Sequence, residues 1–277
     1  MPIPIPAALD DQAAAAATKA GSARDLPRYL VLSALAGVYV GVAVVLLVSV
    51  SAPLFVAGSA ATKLVSGAVF GIALTLVVFA GAELFTGNTM TMLQGLRAGT
   101  VRPVDVGLVW VASLVGNLIG SVAFAAAVHG AGTLSGGPGQ TMISSMLDGK
   151  NAAAGPQLFW RAVLCNFLVC LALWMAARVQ GDVAKAIVLW WALLAFIGSG
   201  FEHSVANMTL FGLGVLEGSA SVGDLARNLL WTVPGNIVGG GLVVGLAYSW
   251  LGGRTTVSAT DPVDAPSVAP GPATAAA

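Results

Sequence analysis

Charge is scarce in this chain. Only 9% of its 277 residues are Asp, Glu, Lys or Arg, against roughly a quarter in a soluble domain. Hydrophobic residues make up 57%, and the mean hydropathy is +0.89. That balance excludes a water-soluble fold and implies an integral membrane protein. The twelve basic residues are matched by twelve acidic ones, so no basic footprint for nucleic acid exists. Cysteine is almost missing as well. Cys165 and Cys170 lie five apart on one expected helix, face different directions and cannot bridge. The opening residues, MPIPIPAALDDQAAAAATKAGSARDL, lack the basic start and apolar core of a signal peptide. What the chain has in abundance is glycine, 35 residues, mostly inside apolar segments where it lets helices approach closely.

A bilayer crossing takes about 20 helical residues. Six apolar segments are candidates: 29–50, 64–80, 104–128, 158–178, 185–198 and 229–250. The second and fifth are short, and each runs into a polar, glycine-containing break followed by more apolar sequence. Several tryptophans, among them Trp110, Trp160, Trp190 and Trp250, fall near segment ends, as an interfacial belt requires. The basic residues split unevenly between the two sides of the six segments. Lys19, Arg24, Arg28, Arg97, Arg102, Arg178, Lys185 and Arg254 would share a side with both termini, and only Lys63, Lys150, Arg161 and Arg227 the other. The positive-inside rule then puts both termini in the cytoplasm. Residues 1–26 form a cytoplasmic N-terminal tail in this reading, 27–252 the transmembrane domain, and the Pro/Ala/Thr-rich 253–277 a disordered cytoplasmic tail.

The break after the second segment reads GAELFTGN (81–88), and the break in the fifth reads GFEHSVAN (200–207). Both are G-x-E-x-x-x-x-N, offset by 119 residues. The same offset carries GNLIG (116–120) onto GNIVG (235–239). The halves, about 27–128 and 156–252, hold three segments each, so the second must insert upside down relative to the first. The expected fold is all-α, with six transmembrane helices, two of them broken, in a 3+3 inverted repeat. Such proteins place their solute sites at mid-depth, where broken helices meet and irregular backbone lines a cavity.

The polar residues at the breaks are therefore candidates for function. An ionisable side chain at the centre of a span costs about 2.5–3.5 kcal/mol on insertion scales. His203 is such a residue, able to hydrogen-bond an anion or exchange a proton. Glu83 and Glu202 hold equivalent repeat positions, and the architectural reading is that each caps free N–H groups at its break. Asn88, Asn207, Asn117 and Asn236 are read as ties to neighbouring helices. Thr86 is the counterpart of Val205, so the repeat is broken there by a hydroxyl that can donate into a pore. Asn166, mid-span, can donate to another helix or to a solute. Lys150 reads as a loop lysine before the fourth segment.

AELFTGN and GFEHSVANM resemble the two signature segments of the formate/nitrite transporter family, and the resemblance extends over all six segments, about 27–252. It implies an aquaporin-like protomer with its own pore, five of which assemble into a homopentamer in the cell (inner or plasma) membrane. The family's central histidine falls on His203, its pore-loop threonine on Thr86, its asparagine on Asn166 and its vestibule lysine on Lys150. Its hydrophobic constrictions fall on Phe70 and Phe196 on one side and on Leu74 and Leu84 on the other. The substrate implied is a small monovalent weak-acid anion, formate or nitrite, with hydrosulfide as the alternative. Stripping such a charge of water is costly, and a falling dielectric raises the pKa of a weak acid. The anion could then take a proton and cross as neutral acid, with His203 either supplying that proton or holding the anion. An aquaporin-type channel for neutral solutes is a weaker alternative, because neither break carries Asn-Pro-Ala. No enzyme, metal or cofactor is expected: EHSVAN offers one histidine and no second ligand.

Overall fold

The computed structural model describes residues 1–253, and among them every regular element is a helix. The disorder expected of the C-terminal tail concerns residues outside that range, Gly253 apart. Helix α1 (Ile5–Ser22) is followed by α2 (Leu26–Val56), α3 (Thr62–Gly81) and α4 (Phe85–Ala98). Then come α5 (Pro103–Ala131), α6 (Gly137–Ala152), α7 (Gly155–Arg178), α8 (Asp182–Gly198), α9 (Ser204–Leu216) and α10 (Val222–Leu251). Five of these, α2, α3, α5, α7 and α10, are long and apolar enough to cross a bilayer. The 17-residue α8 and the apolar α9 continue one another across the second break.

Two helices were not anticipated. The alanine-rich start, expected only as a tail, forms α1, as alanine's high helix propensity favours. Its face of Ala8, Leu9, Ala13, Ala16 and Ala20 is buried, and Gly95 of α4 leaves the space that Ala16 fills. Lys150 is not in a loop but in the last turn of α6, a helix that buries Met142, Ile143 and Leu147. Both α1 and α6 immediately precede a long apolar helix.

Packing is closest where glycine replaces a side chain. A Cβ on Gly120 would run into the backbone of Ala34 in α2, and one on Gly239 into the carbonyl of Val163 in α7. The GNLIG and GNIVG segments thus do the same thing in each half: they bring α5 onto α2 and α10 onto α7 at backbone contact. The outward surface carries Val31, Val111, Ile119, Trp160 and Leu230, all exposed, whereas Asn88, Asn117, Asn166, Asn207, Asn236, Glu202 and His203 are buried. Polar inside and apolar outside is the arrangement a lipid-facing helix bundle requires.

Candidate functional site

Each break is built the same way. Helix α3 winds its last turn, Val77–Gly81, as a π-turn and ends where Gly81 adopts φ +80°. Helix α8 ends before Gly200, at φ +74°. Both values lie in the left-handed region that glycine enters without steric cost. The chain then runs extended through Leu84 and through His203 before α4 and α9 begin.

The first helical N–H after each break is met by asparagine, not glutamate. Phe85 N–H donates to Asn117 Oδ1 at 2.9 Å, and Ser204 N–H to Asn236 Oδ1 at 3.0 Å. Asn117 Nδ2 donates to the carbonyls of Ser33 (2.7 Å) and Glu83 (2.9 Å). Asn236 Nδ2 donates to those of Ala162 (2.8 Å) and Glu202 (3.1 Å). The capping expected of the two carboxylates therefore falls to these asparagines, whose amide carries donor and acceptor together and ties a break to two neighbours at once.

The carboxylates instead anchor side-chain networks. Glu202 Oε2 accepts from Lys150 Nζ and from Asn207 Nδ2, each at 2.7 Å. Glu83 accepts from Lys19 Nζ at 2.8 Å through both oxygens, from Asn88 Nδ2 at 3.0 Å and from Tyr29 Oη at 3.1 Å. Each network is a Lys–Glu–Asn set, its lysine delivered by α1 in one half and α6 in the other. Lys19 was missed as a site residue. It stands 64 residues before its glutamate, whereas Lys150 stands 52 before its own, so no constant repeat offset could reveal it.

Thr86, His203 and Asn166 come together between the breaks, all buried. Thr86 Oγ1 lies 3.1 Å from His203 Nε2. The other ring nitrogen, Nδ1, accepts the N–H of Ala206 at 3.1 Å, which makes His203 the N-cap of α9. A nitrogen that accepts a backbone N–H carries no proton, so the neutral ring bears its hydrogen on Nε2, directed towards Thr86. Asn166 does not reach the histidine. Its Nδ2 lies within hydrogen-bonding distance of the carbonyls of Thr86 (3.1 Å) and Asn236 (2.6 Å) and of Thr89 Oγ1 (3.0 Å). The Asn236 carbonyl sits where α10 turns from α-helix to the π-helix Ile237–Leu246, a widening that frees carbonyls for other partners. Asn166 is thus the clasp between the two halves. Cys170 joins it, its Sγ 3.2 Å from the Thr86 carbonyl, which was not foreseen.

Two cavities approach this centre. One, of about 510 Å³, runs from Lys63, Lys150 and Arg161 past Glu202 to Phe70, Phe196 and His203. Phe70 and Phe196 meet edge to face at 5.5 Å, and Phe196 lies 6.0 Å from the His203 ring. The other, of about 350 Å³, is lined by Gln12, Lys19, Leu84, Thr91 and Lys185. Leu74 is buried in the same hydrophobic cluster as Leu84, Phe70 and Phe196 but lines neither cavity. The basic residues of the cavities sort as the sequence grouped them, Lys19 and Lys185 at one mouth, Lys63, Lys150 and Arg161 at the other. Among the described residues no group of three or more potential metal ligands occurs.

The Formate/nitrite transporter family model matches residues 7–250. The nitrite transporter NirC of Salmonella typhimurium (strain LT2) is 44% identical over 224 residues, covering 79% of this chain and 81% of that one. A probable formate transporter of Methanothermobacter thermautotrophicus is 39% identical, covering 80% and 88%. Among solved structures, an FNT family ion channel superposes with a TM-score of 0.83 at 41% identity, covering 88% of this chain and 98% of that one. A pentameric formate channel with formate bound superposes at 0.67 and 26% identity, covering 82% and 97%.

Proposed function

Because this chain belongs to the formate/nitrite transporter family, a family of multi-pass membrane transporters and channels, we propose that it passes formate or nitrite through a pore within each protomer. In this reading α2, α3–α4, α5, α7, α8–α9 and α10 make six crossings in an aquaporin-like inverted repeat. Both termini face the cytoplasm, and five copies assemble about an axis. The matched hydrogen bonds of the two breaks support the repeat, and the likeness to a pentameric formate channel supports the assembly.

The anion enters the 510 Å³ cavity from the outer side, drawn by Lys150, whose charge is balanced by Glu202. As it nears the ring of Phe70 and Phe196, the falling dielectric raises its pKa, and it takes a proton from hydronium in the outer solvent, leaving water. The neutral acid passes to the mid-depth site and accepts a hydrogen bond from His203 Nε2–H, with the Thr86 hydroxyl at hand. It leaves past Leu74 and Leu84. His203 is a hydrogen-bond donor here and not the source of the proton: protonating Nδ1 would break the cap on Ala206 and leave an α9 N–H unsatisfied.

The observation that carries this reading is a cavity that reaches a buried histidine with one ring nitrogen committed to the backbone. Uptake of nitrite and formate into proteoliposomes carrying His203→Phe tests it. Transport should fall by an order of magnitude or more, and wild-type rate with wild-type pH dependence would remove His203 from the mechanism.

A further inference from the structure

The two mouths of the protein differ in a way the repeat does not account for. Arg161 and Leu32 hold equivalent places: the carbonyl of each accepts the N–H of a break glutamate at 3.2 Å, Glu202 in one case and Glu83 in the other. That role is played by the backbone alone, so it asks nothing of the side chain. Leucine serves on one side. On the other stands a guanidinium, exposed, lining the 510 Å³ cavity and without a hydrogen-bond or ion-pair partner among the described residues.

The charges of the two cavities follow suit. At the α1 mouth, Lys19 is bound through both oxygens of Glu83, and Lys185 lies 3.8 Å from Asp182. At the opposite mouth Lys150 is neutralised by Glu202, but Lys63 and Arg161 add two positive charges that no carboxylate among the described residues offsets. The same cavity is walled by Val44, Leu47, Phe55 and Met146. Low-dielectric walls focus the field of charges set among them.

We propose that Arg161 and Lys63 form an anion-capture site in this mouth, separate from the Lys150–Glu202 pair, which takes planar monovalent oxyanions and gives the two mouths unequal apparent affinity. The flat guanidinium fork matches the two oxygens of a formate- or nitrite-like ion, and Lys63 supplies long-range attraction. In substrate terms this rests on the transport reading above. The resting equilibrium is untouched; what changes is how readily each side loads.

Arg161→Gln, Arg161→Lys and Lys63→Gln are compared in right-side-out and inside-out vesicles at low ionic strength. Arg161→Gln should raise the half-saturation concentration for nitrite from the Arg161 side about two- to fivefold with the maximal rate from that side unchanged, and the ratio of maximal rate to half-saturation from the α1 side should fall by the same factor, as an unchanged equilibrium requires. The effect should fade at high salt. Arg161→Lys should restore only part of the affinity, because the fork is lost. Unchanged half-saturation in Arg161→Gln would overturn the proposal. A second measurement needs no transport. Met146→Cys places a thiol in the cavity wall, while Cys165 and Cys170 are buried. The ratio of its reaction rates with anionic and cationic methanethiosulfonates should drop severalfold on Arg161→Gln and on Lys63→Gln. A ratio that neither substitution moves refutes the capture site. A ratio that moves in a protein passing neither anion would uphold an anion-attracting mouth and overturn the transport reading alone.

Discussion

Removing Lys150 should reveal what its pair with Glu202 does for the fold, separately from what it does for transport. The ammonium lies 2.7 Å from Glu202 Oε2, with the two side chains 14% and 4% exposed. Lys150→Met leaves the carboxylate buried with the Asn207 amide as its one remaining donor among the described residues. Breaking a buried pair by deleting one partner costs about 3–5 kcal/mol, chiefly the burden of the stranded charge. The pair lines the cavity, which places the cost near the lower bound, about 3 kcal/mol. Adding Glu202→Gln removes the stranded charge while leaving an amide oxygen for Asn207. The double variant should therefore recover to within about 1 kcal/mol of wild type. Unfolding in detergent, followed by tryptophan fluorescence, reads the first quantity, and nitrite uptake the second. Uptake should fall in Lys150→Met, which leaves Glu202 as an uncompensated negative charge in the mouth, and recover in the double variant, where that charge is gone. If Lys150→Met unfolds at the wild-type midpoint, or if the double variant is no more stable than the single, the pair is not the structural anchor described here.

Gly239→Val should fail to assemble, because its side chain would collide with the Val163 carbonyl and push α10 off α7. Gly107→Ala, whose new methyl meets open space, is the control. Size-exclusion profiles that match for both would contradict the close helix contact. The Glu217 carboxyl, outside the membrane-spanning segments, is held below the usual carboxylate range by its hydrogen bond with His129 (2.6 Å) and by that from Ser135 (2.8 Å). A depressed folded pKa contributes stability above the unfolded value of about 4.3, lost as pH falls through the folded value. Ser135→Ala should raise the pH at which the 132–136 loop becomes susceptible to acid-tolerant protease. Identical nicking profiles would show that Ser135 does not hold the loop through Glu217.

Much of the site was legible in the linear chain because its parts recur. The G-x-E-x-x-x-x-N segments predicted both breaks, and glycines do stand at both in left-handed backbone. His203, Thr86 and Asn166 do converge. The roles within the network were less legible. Glu83 and Glu202 looked like caps because a carboxylate beside a helix start usually is one. The capping passed to Asn117 and Asn236, which lie 32 residues downstream of the N–H groups they satisfy. Only the packing of α5 and α10 brings them there. In the sequence Lys19 reads as tail charge because nothing local says that α1 folds back onto α4, and Lys150 reads as a loop residue because α6 is too polar to stand out by hydropathy.

The order of residues along the chain dictated a membrane bundle and a duplicated pair of polar interruptions. Periodicity and solvation cost are local properties, and a low count of charges leaves little freedom in where they go. Tertiary structure alone decided which donor meets which acceptor. It sets His203 Nδ1 on a backbone N–H, so that Nε2 faces Thr86, and among the described residues it leaves Arg161 without a partner where Leu32 stands in the other half. Hydrogen bonds act over about 3 Å, and sequence distance carries no information at that scale until helices have packed.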